Sequence, residues 1–184
     1  MSPVATPIRT PRLALVPLLE GTLAALVRGD REEASRAQGV ELPEGFLAPD
    51  GSDAFFLRVQ LERVRADPDH RDWCGRLMIR LADGAVVGRC GFHGPPWAVG
   101  RAEIGYTVLP AWRGQGFATE AAAALVAWGF DQGEATVFAT VDPANLASLA
   151  VVRKLGFVET GSQIDDIDGL ELVFELTRGV EPGI

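Results

Sequence analysis

The sequence of 184 residues holds only two cysteines, two histidines and one tyrosine. Cys74 and Cys90 form no C-x-x-C pair, and His70 and His93 complete no metal set with them, so no metal site is expected. Nothing in the pattern supports a disulfide between the two cysteines; both are expected to be buried as small apolar residues. Basic residues are in deficit, 17 against 25 acidic, for a formal net charge of −8. Nucleic-acid binders carry a basic surplus, so DNA and RNA are disfavoured as partners. Long apolar runs are also missing. Leu13 to Leu19 is short and interrupted by Pro17, and Met1 to Thr10 lacks the basic-then-apolar order of a secretion signal. The expectation is a soluble cytoplasmic protein with no membrane partner.

What is present suits one folded domain over residues 1–184. Apolar residues make up 47 % and charged residues 23 %, close to globular averages. A chain of this length buries a real core. The acidity serves solubility, and it also suits attraction of a cationic substrate such as an amine.

Thr10 to Leu18 alternates in part between prolines and reads as a first strand near a sheet edge. Leu23 to Arg28 is a short helical candidate, and Gly39 to Ser52 reads as a loop. Asp53 to Ala66 places Phe56, Val59, Gln60, Arg63 and Val64 at helical spacing, with Asp67-Pro68 ending it. Trp73–Leu81 and Val86–Phe92 read as a hairpin about Asp83-Gly84. Gly94-Pro95-Pro96 stops the second strand, and Ala102–Leu109 is a further one. Gly116–Asp131 is the longest helical pattern. Thr136–Val141 is a strand, and Asn145–Leu155 a helix with Gly156 in the C-cap position. Phe157–Gln163 and Leu170–Leu176 close the chain as a hairpin about Asp168-Gly169. The class is α+β, with a single mixed, largely antiparallel sheet of about seven strands flanked by helices.

The segment with the clearest chemistry is Arg113-Gly114-Gln115-Gly116-Phe117-Ala118, between a strand and the long helix. A helix start presents unpaired N–H groups and partial positive charge, which attract phosphate. Gly114 and Gly116 let the backbone approach a ligand closely. Arg113 adds the turn's only full positive charge, and Thr119 a hydroxyl. Without a ligand these would be turn glycines only. A Walker loop is excluded, since no Gly-Lys-Ser/Thr occurs. A dinucleotide fingerprint is half met: Thr119 stands where its third glycine would be, and Asp142 ends the next strand. A nucleotide-dependent oxidoreductase is therefore an alternative.

These residues resemble the GNAT superfamily of N-acetyltransferases. The family's cofactor loop is Arg/Gln-x-x-Gly-x-Gly/Ala, and Arg113-x-x-Gly116-x-Ala118 matches it. Glu103-Ile104-Gly105-Tyr106 and Thr10-Pro11-Arg12-Leu13-Ala14-Leu15 are similar to strands of the branch that acetylates ribosomal protein N-termini. Asn145-Leu146-Ala147-Ser148 with Lys154-Leu155-Gly156-Phe157 resembles its second block. The resemblance spans roughly Thr10 to Leu176, with Glu41 to Asp69 poorly matched.

It implies the acyl-CoA N-acyltransferase fold, acetyl-CoA as cosubstrate, and an amine acceptor, either a peptide N-terminus or a small amine. It implies cofactor contacts from Tyr106, Thr107, Val108, Arg113, Gly114, Gln115, Gly116, Phe117, Ala118, Thr119 and Asn145, with the Val108 N–H as oxyanion donor. An alkyl ammonium must lose a proton before it attacks. Glu103 is the candidate base; its other role is a surface carboxylate paired with Arg101. Many relatives hold a tyrosine seven residues after the Asn, where this chain has Val152, which leaves Ser148 as candidate acid. Ser148 also fits a helix surface, Asn145 an N-cap, and Glu120 dipole compensation. His93, beyond a strand, is a weaker base candidate. The tryptophans suit packing, with Trp97 a candidate wall of the acceptor site. A catalytically silent acyl-CoA-binding module and a homodimer both remain open.

Overall fold

The computed structural model describes residues 6–47, 53–165 and 169–179. Part of the expected loop (48–52) and Asp168 of the closing turn lie outside them, as do residues 1–5.

The strands are β1 (Ile8–Arg9), β2 (Leu13–Pro17), β3 (Gly75–Arg80), β4 (Val86–Phe92), β5 (Ala102–Val108), β6 (Thr136–Val141), β7 (Val158–Asp165) and β8 (Gly169–Thr177). The helices are α1 (Glu20–Val27), α2 (Arg31–Gln38), α3 (Asp53–Ala66), α4 (Pro96–Val99), α5 (Phe117–Asp131) and α6 (Leu146–Lys154). One sheet runs in the order β1-β2-β3-β4-β5-β6-β8-β7. It has eight strands rather than the seven expected. The extra one is β1, too short to show alternation, and it turns through Thr10 into β2. The polar helix α2, held by an Asp30 side chain on Glu33 N, and the one-turn α4 carry little apolar periodicity and were likewise not expected.

Pairing is antiparallel except between β5 and β6, joined by the crossover helix α5. That single parallel unit is followed by an antiparallel hairpin, so the sheet lacks the repeated winding of a dinucleotide-binding fold.

Helices cover both faces of the sheet. Strand side chains alternate between faces, so Met78 joins a core with Phe92, Ile104, Ala121, Leu125, Leu149 and Phe174, while Leu77 joins a second with Leu23, Leu57, Leu61 and Val64. The buried stripe of α3 is Leu57, Gln60, Leu61 and Val64, so Phe56 and Val59 lie off it. Gln60 is fully buried and joins two strands: its Oε1 accepts from Gly75 N (2.8 Å) and its Nε2 donates to His93 O (3.1 Å). Satisfying both ends of the amide makes its burial tolerable. Cys74 and Cys90 are free and buried, as composition suggested.

Candidate active site

The site is built where β5 and β6 part. Their parallel register covers only Ala102↔Val137 and Glu103↔Phe138, although β5 continues to Val108 and β6 to Val141. On its other edge β5 stays paired with β4 to its end, Gly88↔Val108. Hydrogen bonds of His93 N to Glu103 O (2.8 Å) and of Leu109 N to Val87 O (3.0 Å) fix the alternation. Odd-numbered residues of β5 direct their backbone groups to β4, and even-numbered ones face the gap. Tyr106 and Val108 therefore turn backbone groups into a wedge-shaped opening, where an extended ligand can complete the ladder.

Two cavities meet at this opening. The first, about 530 Å³, is lined by β5 from Tyr106, by Arg113, Gly114 and Gly116 to Thr119, and by Asn145, Ala147, Ser148 and Val151 of α6 and its cap. Gly116 occupies the N-cap of α5 at φ +80° and Gly114 lies at φ +74°, backbone that side chains rarely adopt. Gly116 supplies no side-chain cap, and the first intrahelical bond runs from Glu120 N to Gly116 O (3.0 Å). The N–H groups of the first turn are thus available to an anion. Arg113 Nε donates to Val108 O (3.0 Å), fixing the cation between the strand end and the turn.

Sequence reasoning missed a second cation here. Arg12, in the β1–β2 turn, donates from Nη1 to Gln115 O (2.9 Å) and lies over the Phe117 ring, 4.7 Å from its centroid. Glu120 accepts from Thr10 Oγ1 (2.6 Å), Arg12 N (2.8 Å) and Arg12 Nε (2.6 Å). Burial pushes the Glu120 carboxyl up, but these donors outweigh it and hold the group below the usual range. Glu120 thus ties the start of α5 to the first strands. Only the spacing of over a hundred residues hid this from the sequence.

The second cavity, about 420 Å³, opens on the α3 side and shares Tyr106, Thr107, Asn145 and Ser148 with the first. Its ionisable lining is Asp53, Arg89, Asp142, Glu171 and His93. Arg89 pairs with Asp53, and burial lowers the Arg89 guanidinium to about 10. Asp142 accepts from Ala144 N (2.7 Å) and Glu171 from Gln163 Nε2 (3.0 Å).

Of the expected cofactor contacts, ten line the first cavity; Gln115 does not, and its carbonyl instead receives Arg12. Ala147 and Val151 line it as well, one helical turn apart, visible only once α6 is placed. Asn145 caps α6, accepting from Ser148 N (3.1 Å), and Ser148 lines both cavities. Val152 is buried in the core. Tyr106 donates its hydroxyl to Ser148 O (3.4 Å), and burial pushes its phenol up. Glu103 is 8 % exposed and does not line either cavity. Its Oε2 accepts from Arg101 Nε (2.8 Å) and its Oε1 from Thr140 Oγ1 (2.6 Å). The Arg101 pairing is present, although the carboxylate is buried rather than on the surface. Trp97 is 68 % exposed, packs on His70 and Trp73, and does not line the second cavity. Among the described residues no group of three or more His, Cys, Asp or Glu could hold a metal ion, and no helix is long and apolar enough to cross a membrane.

The parted strands, the glycine turn at a helix start and the doubled cavity bring an open strand edge beside a helix end able to receive an anion. The acetyltransferase (GNAT) domain family matches residues 12–158, and the chain belongs to that family. The chain is 38 % identical over 86 residues to an uncharacterized N-acetyltransferase, p20, of Bacillus licheniformis; the match covers 46 % of this chain and 48 % of that protein. It thus spans about half the length of this curated relative. Among solved structures, an acetyltransferase from Agrobacterium tumefaciens superposes with TM-score 0.63 at 24 % identity, over 94 % of both chains. RimL, a ribosomal L7/L12 alpha-N-protein acetyltransferase solved with coenzyme A, superposes with TM-score 0.61 at 16 % identity, over 93 % of this chain and 97 % of that one. At these identities the two structures bear on the fold alone.

Proposed function

We propose that this protein transfers the acetyl group of acetyl-CoA to a cationic primary amine. The observation that carries the reading is the meeting of the two cavities at the parted ends of β5 and β6. The cavity beside the phosphate-binding turn takes the cofactor. Its pyrophosphate lies on the N–H groups of residues 117–119, with Arg113 beside it, and the pantetheine arm pairs with the gap-facing backbone of Tyr106 and Val108. The acetyl carbonyl then reaches the junction, where the Val108 N–H stabilises the oxyanion. The amine enters from the α3 side. Asp142 and Glu171 give that cavity a negative surplus, since Asp53 is offset by Arg89. A positively charged amine is drawn to such a lining. RimL acts on a protein N-terminus, and a peptide N-terminus fits this acceptor class along with small polyamines.

Transfer is direct. The amine nitrogen bonds to the acetyl carbon, the tetrahedral oxyanion collapses, and the carbon–sulfur bond breaks to release CoA. Ser148, at the junction, relays to the sulfur a proton that the attacking nitrogen loses.

The test is thiol release on mixing the protein and acetyl-CoA with a panel of peptides and small amines. Amine-dependent release supports the reading. Binding of acetyl-CoA without turnover on any amine favours a silent binding module, a reading to which the core position of Val152 lends weight.

A further inference from the structure

Glu103 lines neither cavity, although its neighbour Ile104 lines the second, and both its oxygens already accept hydrogen bonds. Between it and the cavity stands His93. The two residues face each other across β4 and β5, joined by the bond from His93 N to Glu103 O. Their side chains therefore share the sheet face that looks toward α3. The His93 ring is 41 % exposed and lines the acceptor cavity. Its Nδ1 is 3.7 Å from Glu103 Oε1. Its Nε2 occupies the space over Gly105, where an added Cβ would stand 3.0 Å away. Phe56 of α3 meets the ring edge-on at 5.7 Å. The ring is thus held from three sides, with the carboxylate behind it and the cavity in front.

We propose that His93 takes the proton from the acceptor ammonium and that Glu103 is a positioning residue that orients the imidazole. This rests on the transferase reading above. With the Nδ1 proton turned toward Glu103, Nε2 carries the lone pair. The ammonium gives one proton to Nε2, and the neutral amine attacks the acetyl carbon. When the carbon–sulfur bond breaks, the second proton lost by the nitrogen ends on the CoA sulfur. The imidazolium returns its proton to solvent. The products are the amide, CoA thiol and one proton, which balances the reactants. Arg101 is bound in turn to Glu103. The other charges facing this space are Arg63 of α3, against Gly94, the Asp53–Arg89 pair, Asp142 and Glu171.

The experiment compares the wild-type protein with His93→Gln and Glu103→Gln on two acceptors. One is an alkyl amine, protonated at neutral pH; the other is aminoacetonitrile, largely unprotonated there. Acetyl-CoA affinity, read by calorimetry, reports that each variant keeps its fold. His93→Gln is expected to slow the alkyl amine about 100-fold at neutral pH, the scale of a lost general base. It should change the aminoacetonitrile rate only ~3-fold, because that amine needs no base to become nucleophilic. Glu103→Gln should slow the alkyl amine less and shift the pH–rate profile. Equal losses on both amines, or a wild-type rate for His93→Gln on the alkyl amine, overturn the inference while leaving the transferase reading intact. A wild-type protein that binds acetyl-CoA and acetylates neither amine nor any other acceptor overturns both.

Discussion

Glu120→Gln tests how the glycine turn at the start of α5 is held. The carboxylate is mostly buried, its side chain 15 % exposed, and it accepts three hydrogen bonds from Thr10 and Arg12. A glutamine keeps one oxygen, which can still accept from Thr10 Oγ1 and Arg12 N, but it sets an NH2 group against Arg12 Nε and loses the charge-assisted character of all three. Hydrogen bonds to a charged group contribute about 1.5–3 kcal/mol. The Arg12 partner is 48 % exposed, so its share falls toward the ~0–1 kcal/mol of surface pairs. Loss of a negative charge in the first turn of α5 adds about 0.3–1 kcal/mol. A destabilisation near 2 kcal/mol results, equal to ~4–8 °C in Tm for a chain of this size. The folded-state carboxyl lies below its ordinary value. Its contribution is therefore complete above the unfolded value of about 4.3 and is lost as pH falls through the folded value. Thermal unfolding followed by circular dichroism between neutral pH and about pH 3 measures this. The gap between the two proteins should be full at neutral pH and narrow only at the acid end. Equal Tm values at neutral pH, or a gap that widens with acid, would refute the assigned tie.

Three further outcomes follow from the same geometry. Arg113→Ala removes the cation and its strap to Val108 O, and should weaken acetyl-CoA binding about tenfold by calorimetry, a loss near 1.4 kcal/mol; unchanged affinity would count against the placement of the pyrophosphate. Asn145→Ala removes the α6 cap and should cost ~1 kcal/mol in chemical denaturation, with a rise in acetyl-CoA dissociation constant because the residue borders both cavities. Burial pushes the thiols of Cys74 and Cys90 up to about 12, so neither should react with a thiol reagent at neutral pH until the protein is unfolded; rapid labelling of the native protein would show that the region around β3 and β4 opens.

The candidate site was partly legible because the first cavity's glycine turn is local. Arg113, Gly114, Gly116 and the helix they begin are contiguous, and the conformations at Gly114 and Gly116 are ones that glycine alone adopts readily. The same holds for Asn145, which caps the helix it starts. Helix α3 shows the limit of periodicity. Its span was readable, but the stripe was displaced by one residue, because an amphipathic pattern containing Gln60 and Arg63 does not say which polar residue is enclosed. Gln60 is buried only because Gly75 and His93 arrive to bond it.

The sequence by itself determined most of the order of elements, though not β1, α2 or α4, and it determined the glycine turn that opens α5, since these depend on neighbours within a few residues. The tertiary structure alone decided where β5 and β6 part, which residues of β5 face the gap, and what stands between Glu103 and the acceptor. It also brought Arg12 to Gln115 and Glu120, across more than a hundred residues of chain. Proton transfer depends on distances and burial set by strand register, and no local pattern encodes that register.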